Sequence, residues 1–200
     1  CNKLSDVFPW VGDEHQDKYG FINSYRFLEK HNKFSKAAQI VVTDMGTALL
    51  CGHQVLKLKA GQRLMTSTGL GEMGFGLPAA IGASFGNARS EVMCLNCDGG
   101  MMLNLQELQT IIHYNLPIKL FIFNNDGYLM IKHTQNSLFN SEYVGTDSAS
   151  GVSCPDYSKL ATAFGIPSYQ IRTWNEVDET IIKIQAVTGP VICEVFMHPE

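Results

Sequence analysis

No apolar stretch of this 200-residue chain approaches the ~20 residues that a bilayer-spanning helix needs. Its first residues, Cys1-Asn2-Lys3-Leu4-Ser5-Asp6, do not read as a signal peptide. Positive charge is short as well: 15 Lys and Arg against 19 Asp and Glu leave a net charge of −4. That removes the electrostatic basis for nucleic acid or an anionic membrane surface as partner. A phosphorylated ligand would have to be held by backbone dipoles or a metal ion. Charged residues make up only 17% against 45% hydrophobic, the balance of a globular chain with a substantial core. A disulfide framework is also missing. The six cysteines (Cys1, Cys51, Cys94, Cys97, Cys154, Cys193) are scattered among apolar segments, which points to reduced thiols and a cytoplasmic protein. Cys94 and Cys97 spell C-x-x-C, but no second ligand pair stands at zinc spacing. A redox pair belongs at a helix N-terminus, whereas this one ends a predicted strand. No repeat or low-complexity tract occurs.

What the chain does have is regular alternation. Residues 1 to about 25 read as a linker or arm, and a loose helical pattern follows from Ser24 to Phe34. Predicted strands are Gln39–Thr43, Arg63–Ser67, Glu91–Asn96, Ile118–Phe123, Tyr169–Ile171 and Val191–Phe196. Between them run predicted helices from Gly46 through Leu58, then Leu77–Phe85, Leu103–His113, Asp156–Phe164 and Val177–Ala186. Near-continuous apolar strands separated by helices imply an α/β fold, a parallel sheet covered on both faces. The expected organisation is a linker and leading helix over 1–37 and one domain over 38–200. With no Met at the start and an abrupt end at Glu200, the expectation is a piece of a longer chain.

In such folds ligands sit at the carboxyl ends of the strands. There the third strand runs into Cys97-Asp98-Gly99-Gly100, and the fourth into Asn124-Asn125-Asp126-Gly127-Tyr128. Asp98 and Asn125 close consecutive parallel strands, so their side chains can converge. A carboxylate and an amide oxygen are hard ligands suited to Mg²⁺, which completes its shell with water and phosphate oxygens. The glycines after Asp98 let a phosphate approach the backbone and the N-terminus of the next helix. The plainer alternative makes Asp98 a helix cap and the asparagines turn formers. Their joint placement one βαβ unit apart favours the metal.

These residues resemble the GDG…NN motif of thiamine diphosphate enzymes. Thr66-Ser67-Thr68-Gly69-Leu70-Gly71-Glu72-Met73-Gly74-Phe75-Gly76-Leu77-Pro78-Ala79-Ala80-Ile81-Gly82-Ala83 is similar to the segment beside the cofactor's aminopyrimidine in acetolactate synthases and related carboligases. Five glycines between Gly69 and Gly82 exceed what one turn requires. The resemblance implies a diphosphate-binding domain with thiamine diphosphate and Mg²⁺ as cofactors. It assigns the metal to Asp98, Asn125 and the carbonyl of Gly127. It gives Gly71 and Met73 backbone bonds to the pyrimidine, and makes the Met73 side chain the wedge that bends the cofactor. Gly46, Thr47 and Ala48 form a diphosphate-contacting loop. Gly99, Gly100, Tyr128, Leu129 and Met130 complete the cofactor-binding set. Met73 and Met130 are the two side chains assigned to catalysis, Met130 beside the reacting carbon.

Three departures stand out. Cys97 replaces the motif's first glycine, Thr47-Ala48-Leu49 replaces Gln-His-Gln, and Thr134 stands where many acetolactate synthases have a Trp. The last points to an acceptor larger than that of the biosynthetic enzymes, such as a sugar. Glu72, His53, His113 and His133 have no partner pattern and are set aside. Expected partners are a 2-keto acid, a carbonyl acceptor and the pyrimidine-binding domain of a neighbouring subunit in a homo-oligomer. An FAD site would lie mainly in a middle domain outside this sequence. Two other readings stay open here. One is a subunit of a two-chain 2-keto acid decarboxylase. The other is a non-enzymatic phosphate-binding domain of the same architecture, which leaves Thr66–Ala83 unexplained.

Overall fold

The computed structural model describes residues 7, 9–17 and 19–199. Residues 1–6, 8 and 18 of the expected linker, Cys1 among them, lie outside the described residues, as does Glu200. Among the described residues six strands form one parallel sheet: β1 (Ile40–Thr43), β2 (Arg63–Met65), β3 (Val92–Cys97), β4 (Ile118–Asn124), β5 (Ser168–Ile171) and β6 (Val191–Phe196). Their order is β2-β1-β3-β4-β6-β5, with every pairing parallel. The α/β architecture expected from the sequence is the one the chain adopts.

The sheet's burial explains the two helical layers. β3 is buried at all six positions and β4 at all but its last, so neither face can be left to water. On β4, Phe121 and Phe123 point to one face, towards α1 (Ser24–His31), α2 (Thr47–Val55) and α8 (Trp174–Ala186). Leu120 and Ile122 point to the other, towards α3 (Gly76–Gly86), α5 (Leu108–His113) and α7 (Tyr157–Ala163). Lys119, also buried on β4, donates to the carbonyls of Val187 and Gly189. Among the described residues no helix is long and apolar enough to cross a membrane.

Several boundaries differ from the sequence expectation, each for a local reason. In place of one helix from Leu103, the chain turns at once after β3 into α4 (Asp98–Met101), then a 3₁₀ turn (Leu105–Glu107), then α5. α6 (Leu129–Leu138) was not expected, because it buries none of its residues and so carries no apolar stripe. α8 starts three residues before Val177, since Thr173 and Glu176 form a capping box. α1 stops at His31, leaving Phe34 beyond it as a partly buried neighbour of the core.

Cys94 and Cys97 stand three apart on a strand and therefore face opposite layers, one in each half of the core. That geometry, more than their position, excludes a shared bond or metal. Cys97 does end β3, but α4 begins at the very next residue.

α1 buries Phe27, Leu28 and His31. Phe27 meets Phe123 edge-on at 5.8 Å, and His31 meets Phe121 edge-on at 5.0 Å. His31 Nδ1 is buried without a hydrogen-bond partner. Burial, then the nearby Lys59, pulls its pKa from 6.5 down to about 4. Because the folded value lies below the unfolded one, this contribution to stability is present above pH 6.5 and lost as pH falls through about 4. The difference integrates to about 3 kcal/mol. His31→Leu is therefore expected to gain on the wild type in urea unfolding at pH 4 relative to pH 7. Equal stability differences at both pH values would rule this out.

Candidate functional site

β1, β3 and β4 lie side by side, so the loops that follow them meet at one sheet edge. With the glycine-rich loop before α3 they enclose a cleft of about 170 Å³. Its walls carry Gly46 and Thr47 after β1, Gly71 and Met73 from the glycine-rich loop, Cys97 at the end of β3 with Gly99 and Gly100 after it, and Asn125, Gly127, Tyr128, Leu129 and Met130 after β4. Four segments separated in sequence thus converge at the carboxyl ends of the strands. Met45 and Ile131 complete the lining. Of the sequence-predicted set, Ala48 and Asp98 do not line the cleft; both are fully buried behind its wall.

Asp98 sits at the first position of α4. Its Oδ1 accepts from Gly99 N–H at 2.7 Å, and its Oδ2 from Asn125 N–H and Gly127 N–H, each at 3.0 Å. The carboxylate therefore ties the β4 loop to the end of β3. Burial pushes its pKa up to about 6, against the pull of those N–H groups. Beside it, Asn125 donates through Nδ2 to Thr47 Oγ1 at 3.3 Å, while its Oδ1 is buried without a partner. Among the described residues no group of three or more His, Cys, Asp or Glu stands together for a metal ion. A cation here would be held by one carboxylate with amide and carbonyl oxygens, and that hard oxygen set fits Mg²⁺ rather than a softer metal.

The glycines are required by contact. A Cβ on Gly99 would stand 2.2 Å from the Tyr128 ring, and one on Gly100 would stand 1.9 Å from Asp44 Oδ2. Gly127 has φ +138°, and a Cβ there would meet the Thr146 carbonyl oxygen at 2.2 Å. That same oxygen accepts from Tyr128 N–H at 2.7 Å, which holds the β4 loop from outside.

Cys97, the first departure, is accommodated without distorting the strand end. Its Sγ accepts from Ala48 N–H at 3.3 Å, at the N-terminus of α2, where Gly46 offers no side-chain cap. Gly46 makes room, at φ +94° and with Sγ 3.2 Å from where its Cβ would be. Burial holds the thiol well above its usual range. Thr134 is exposed and bonds back to the Met130 carbonyl at 3.1 Å, outside the cleft. Exposed Glu72 accepts from Ser67 Oγ at 2.6 Å and points to no chemistry.

Three residues around the site were not singled out from the sequence. Asp44, fully buried, accepts from the N–H groups of Gly74 and Gly76. Asn104 donates to the Gly74 carbonyl at 2.6 Å. The Tyr157 hydroxyl donates to the backbone carbonyl of Asp98 at 2.5 Å. An acid directly after an apolar strand and two residues before a glycine was the available signal for Asp44; nothing local marks the other two.

The family profile described as "Thiamine pyrophosphate enzyme, C-terminal TPP binding domain" matches residues 44–195. The chain belongs to this family. Its thiamine pyrophosphate (diphosphate) domain is that of acetolactate synthase-like enzymes. The acetolactate synthase large subunit of Cyanidium caldarium is 36% identical over 165 residues, covering 82% of this chain and 28% of that protein. The acetolactate synthase isozyme 2 large subunit of Escherichia coli is 31% identical over 195 residues, 98% of this chain and 34% of the relative. Acetolactate synthase 1, chloroplastic, of Zea mays is 31% identical over 213 aligned residues, 99% of this chain and 33% of the relative. The chain thus spans about a third of the length of these relatives.

Proposed function

We propose that the cleft holds thiamine diphosphate through Mg²⁺ and that the chain is the cofactor domain of a 2-keto acid carboligase. The observation that carries this is a pair of oxygen-bearing side chains, Asn125 on the cleft wall and Asp98 directly behind it. The Asp98 carboxylate and the unpartnered Asn125 Oδ1 lie at the ends of adjacent strands, beneath a wall of obligatory glycines. Asp98, Asn125 and the carbonyl of Gly127 would hold the ion. Thr47 and the N-terminus of α2 would face the diphosphate with a positive dipole end. Met73 would support the bent cofactor, and Met130 would border the reacting carbon. When bound, thiamine diphosphate supplies the electron sink through which a 2-keto acid loses CO₂ and its acyl unit passes to a carbonyl acceptor.

The open mouth of the cleft calls for a covering surface, which we assign to the pyrimidine-binding domain of a neighbouring subunit. FAD, if retained, would belong to a middle domain. A second, more polar cavity shares Thr47, Asn125, Leu129 and Met130 with the cleft and continues to His15, Tyr25 and His133. With Thr134 turned away, it leaves room for a larger, hydroxylated acceptor.

Calorimetric titration of thiamine diphosphate into the full-length protein, with and without Mg²⁺, tests the cofactor reading. Binding that requires the metal is expected; no binding under either condition would sink it. Supplying pyruvate with a panel of acceptors tests the second part, and exclusive formation of acetolactate would count against a larger acceptor.

A further inference from the structure

We propose that Asp44 and Asn104 clamp the backbone on either side of Gly74, making Asp44 a positioning residue that fixes how Met73 is presented to the cleft. The inference rests on the cofactor reading above and adds to it a residue that never touches the ligand.

Asp44 follows β1 directly, and its own N–H donates to the Leu95 carbonyl at 2.8 Å, so its backbone is part of the sheet. From that fixed base, Oδ2 accepts from Gly74 N–H at 3.1 Å and Oδ1 from Gly76 N–H at 3.0 Å. α3 begins at Gly76, and its own cap residue, Phe75, makes no side-chain cap bond. A carboxylate from another element therefore caps an 11-residue helix, where an anion is favoured. On the other side Asn104 Nδ2 donates to Gly74 O at 2.6 Å. The Met73–Gly74 peptide is thus held through its N–H and the next one through its carbonyl.

Methionine has three rotatable side-chain bonds and supports a ligand in one pose only if its backbone is fixed. Met73 Cε already reaches within 3.4 Å of where a Gly99 Cβ would stand, so small shifts of the loop would move it across the cleft floor. The fit around Asp44 is tight. A Cβ on Gly76 would lie 2.7 Å from Asp44 Cβ, and one on Gly100 would lie 1.9 Å from Oδ2, so this side chain packs between the start of α3 and α4. Its carboxyl is buried with backbone N–H groups in place of a cation. An acid in that setting is costly unless its hydrogen bonds are needed.

The test uses the full-length protein with Asp44→Asn, which keeps the shape but sets an amide N–H₂ against one of the two donors. In the cofactor-free state, amide hydrogen exchange at Gly74 and Gly76 is expected to be about tenfold faster or more. Unchanged exchange would overturn the clamp. In the protein loaded with thiamine diphosphate and Mg²⁺, deuterium exchange at the thiazolium C2 and kcat are expected to fall about tenfold, while cofactor Kd and substrate KM move less than about threefold. Faster amide exchange with unchanged C2 exchange and kcat would reduce Asp44 to a helix cap and overturn the positioning role. Asn104→Ala, which removes only the carbonyl side, is expected to show the same split, and it decides the matter if Asp44→Asn does not fold. Failure of the wild type to bind thiamine diphosphate would instead overturn the cofactor reading, and with it Asp44's role toward the ligand, whatever the amides show.

Discussion

Asp98→Asn is expected to make the metal-free protein more stable at neutral pH while removing Mg²⁺-dependent binding of thiamine diphosphate. The two effects share one cause. Burial raises the Asp98 pKa from 3.8 to about 6, so the folded state prefers the protonated form. A raised value means that its contribution to stability is full below pH 3.8 and lost as pH rises through about 6. At pH 7 the folded protein carries a buried charge at a cost of about 3 kcal/mol without a cation. An amide keeps an acceptor for Asn125 and Gly127 N–H and sheds that cost, offset in part by about 1 kcal/mol for an N–H₂ set against Gly99 N–H, and it is a poor ligand for Mg²⁺. Denaturant unfolding with and without Mg²⁺ would show the variant more stable without metal and insensitive to it. Cofactor affinity should fall about 100-fold or more. His31 titrates with the opposite sign in much of the same pH range, so the comparison is of variant with wild type at each pH. A variant that keeps a Mg²⁺-dependent rise in cofactor affinity would remove Asp98 from the metal site. Asp98→Ala is less informative, because it also leaves three buried N–H groups without an acceptor.

Gly127→Ala is expected to be among the most damaging single methyl groups that can be added near the cleft. Two penalties coincide at this position. The backbone at φ +138° is one that side chains rarely adopt, and the new Cβ would lie 2.2 Å from the Thr146 carbonyl oxygen. That oxygen cannot swing away as a side chain would, because it accepts from Tyr128 N–H. A loss of about 3 kcal/mol or more is expected, together with the Asp98 to Gly127 bond and hence the geometry of the proposed metal ligands. Gly99→Ala is the matched control. Its Cβ also comes to 2.2 Å, but from the Tyr128 ring, which can turn. Thermal melts should rank Gly127→Ala well below Gly99→Ala; equal losses would mean that the β4 loop is free to shift.

The fold was legible because burial writes itself into composition. β3 and β4 read as strands since almost every residue on them had to be apolar, and helices between them left only parallel pairing. The cleft was legible for a different reason: Asp98, Asn125 and the glycine-rich loop carry a pattern no simple turn requires. What stayed hidden depends on contacts between distant segments. α6 has no buried face and so leaves no periodic signal. Asn104 and Tyr157 act through backbone carbonyls 30 and 59 residues away, and no local spacing encodes such a bond. Cys97 was visible as a departure, yet its accommodation depends on Ala48 N–H and on the missing side chain of Gly46.

Two helices that border the cleft, α2 and α3, begin without a cap of their own and are finished by Cys97 and Asp44 from the ends of strands. This ties both helix starts to segments distant in sequence. As the chain leaves the ribosome, α2 is complete in sequence long before Cys97 emerges, and Asp44 waits for a glycine loop some 30 residues behind it. Neither helix start can be finished by its neighbours in sequence. This end of the cleft is therefore complete only when β1 and β3 are paired, since the α2 start needs Cys97. A nascent chain stalled before β3 would hold the helices without the site.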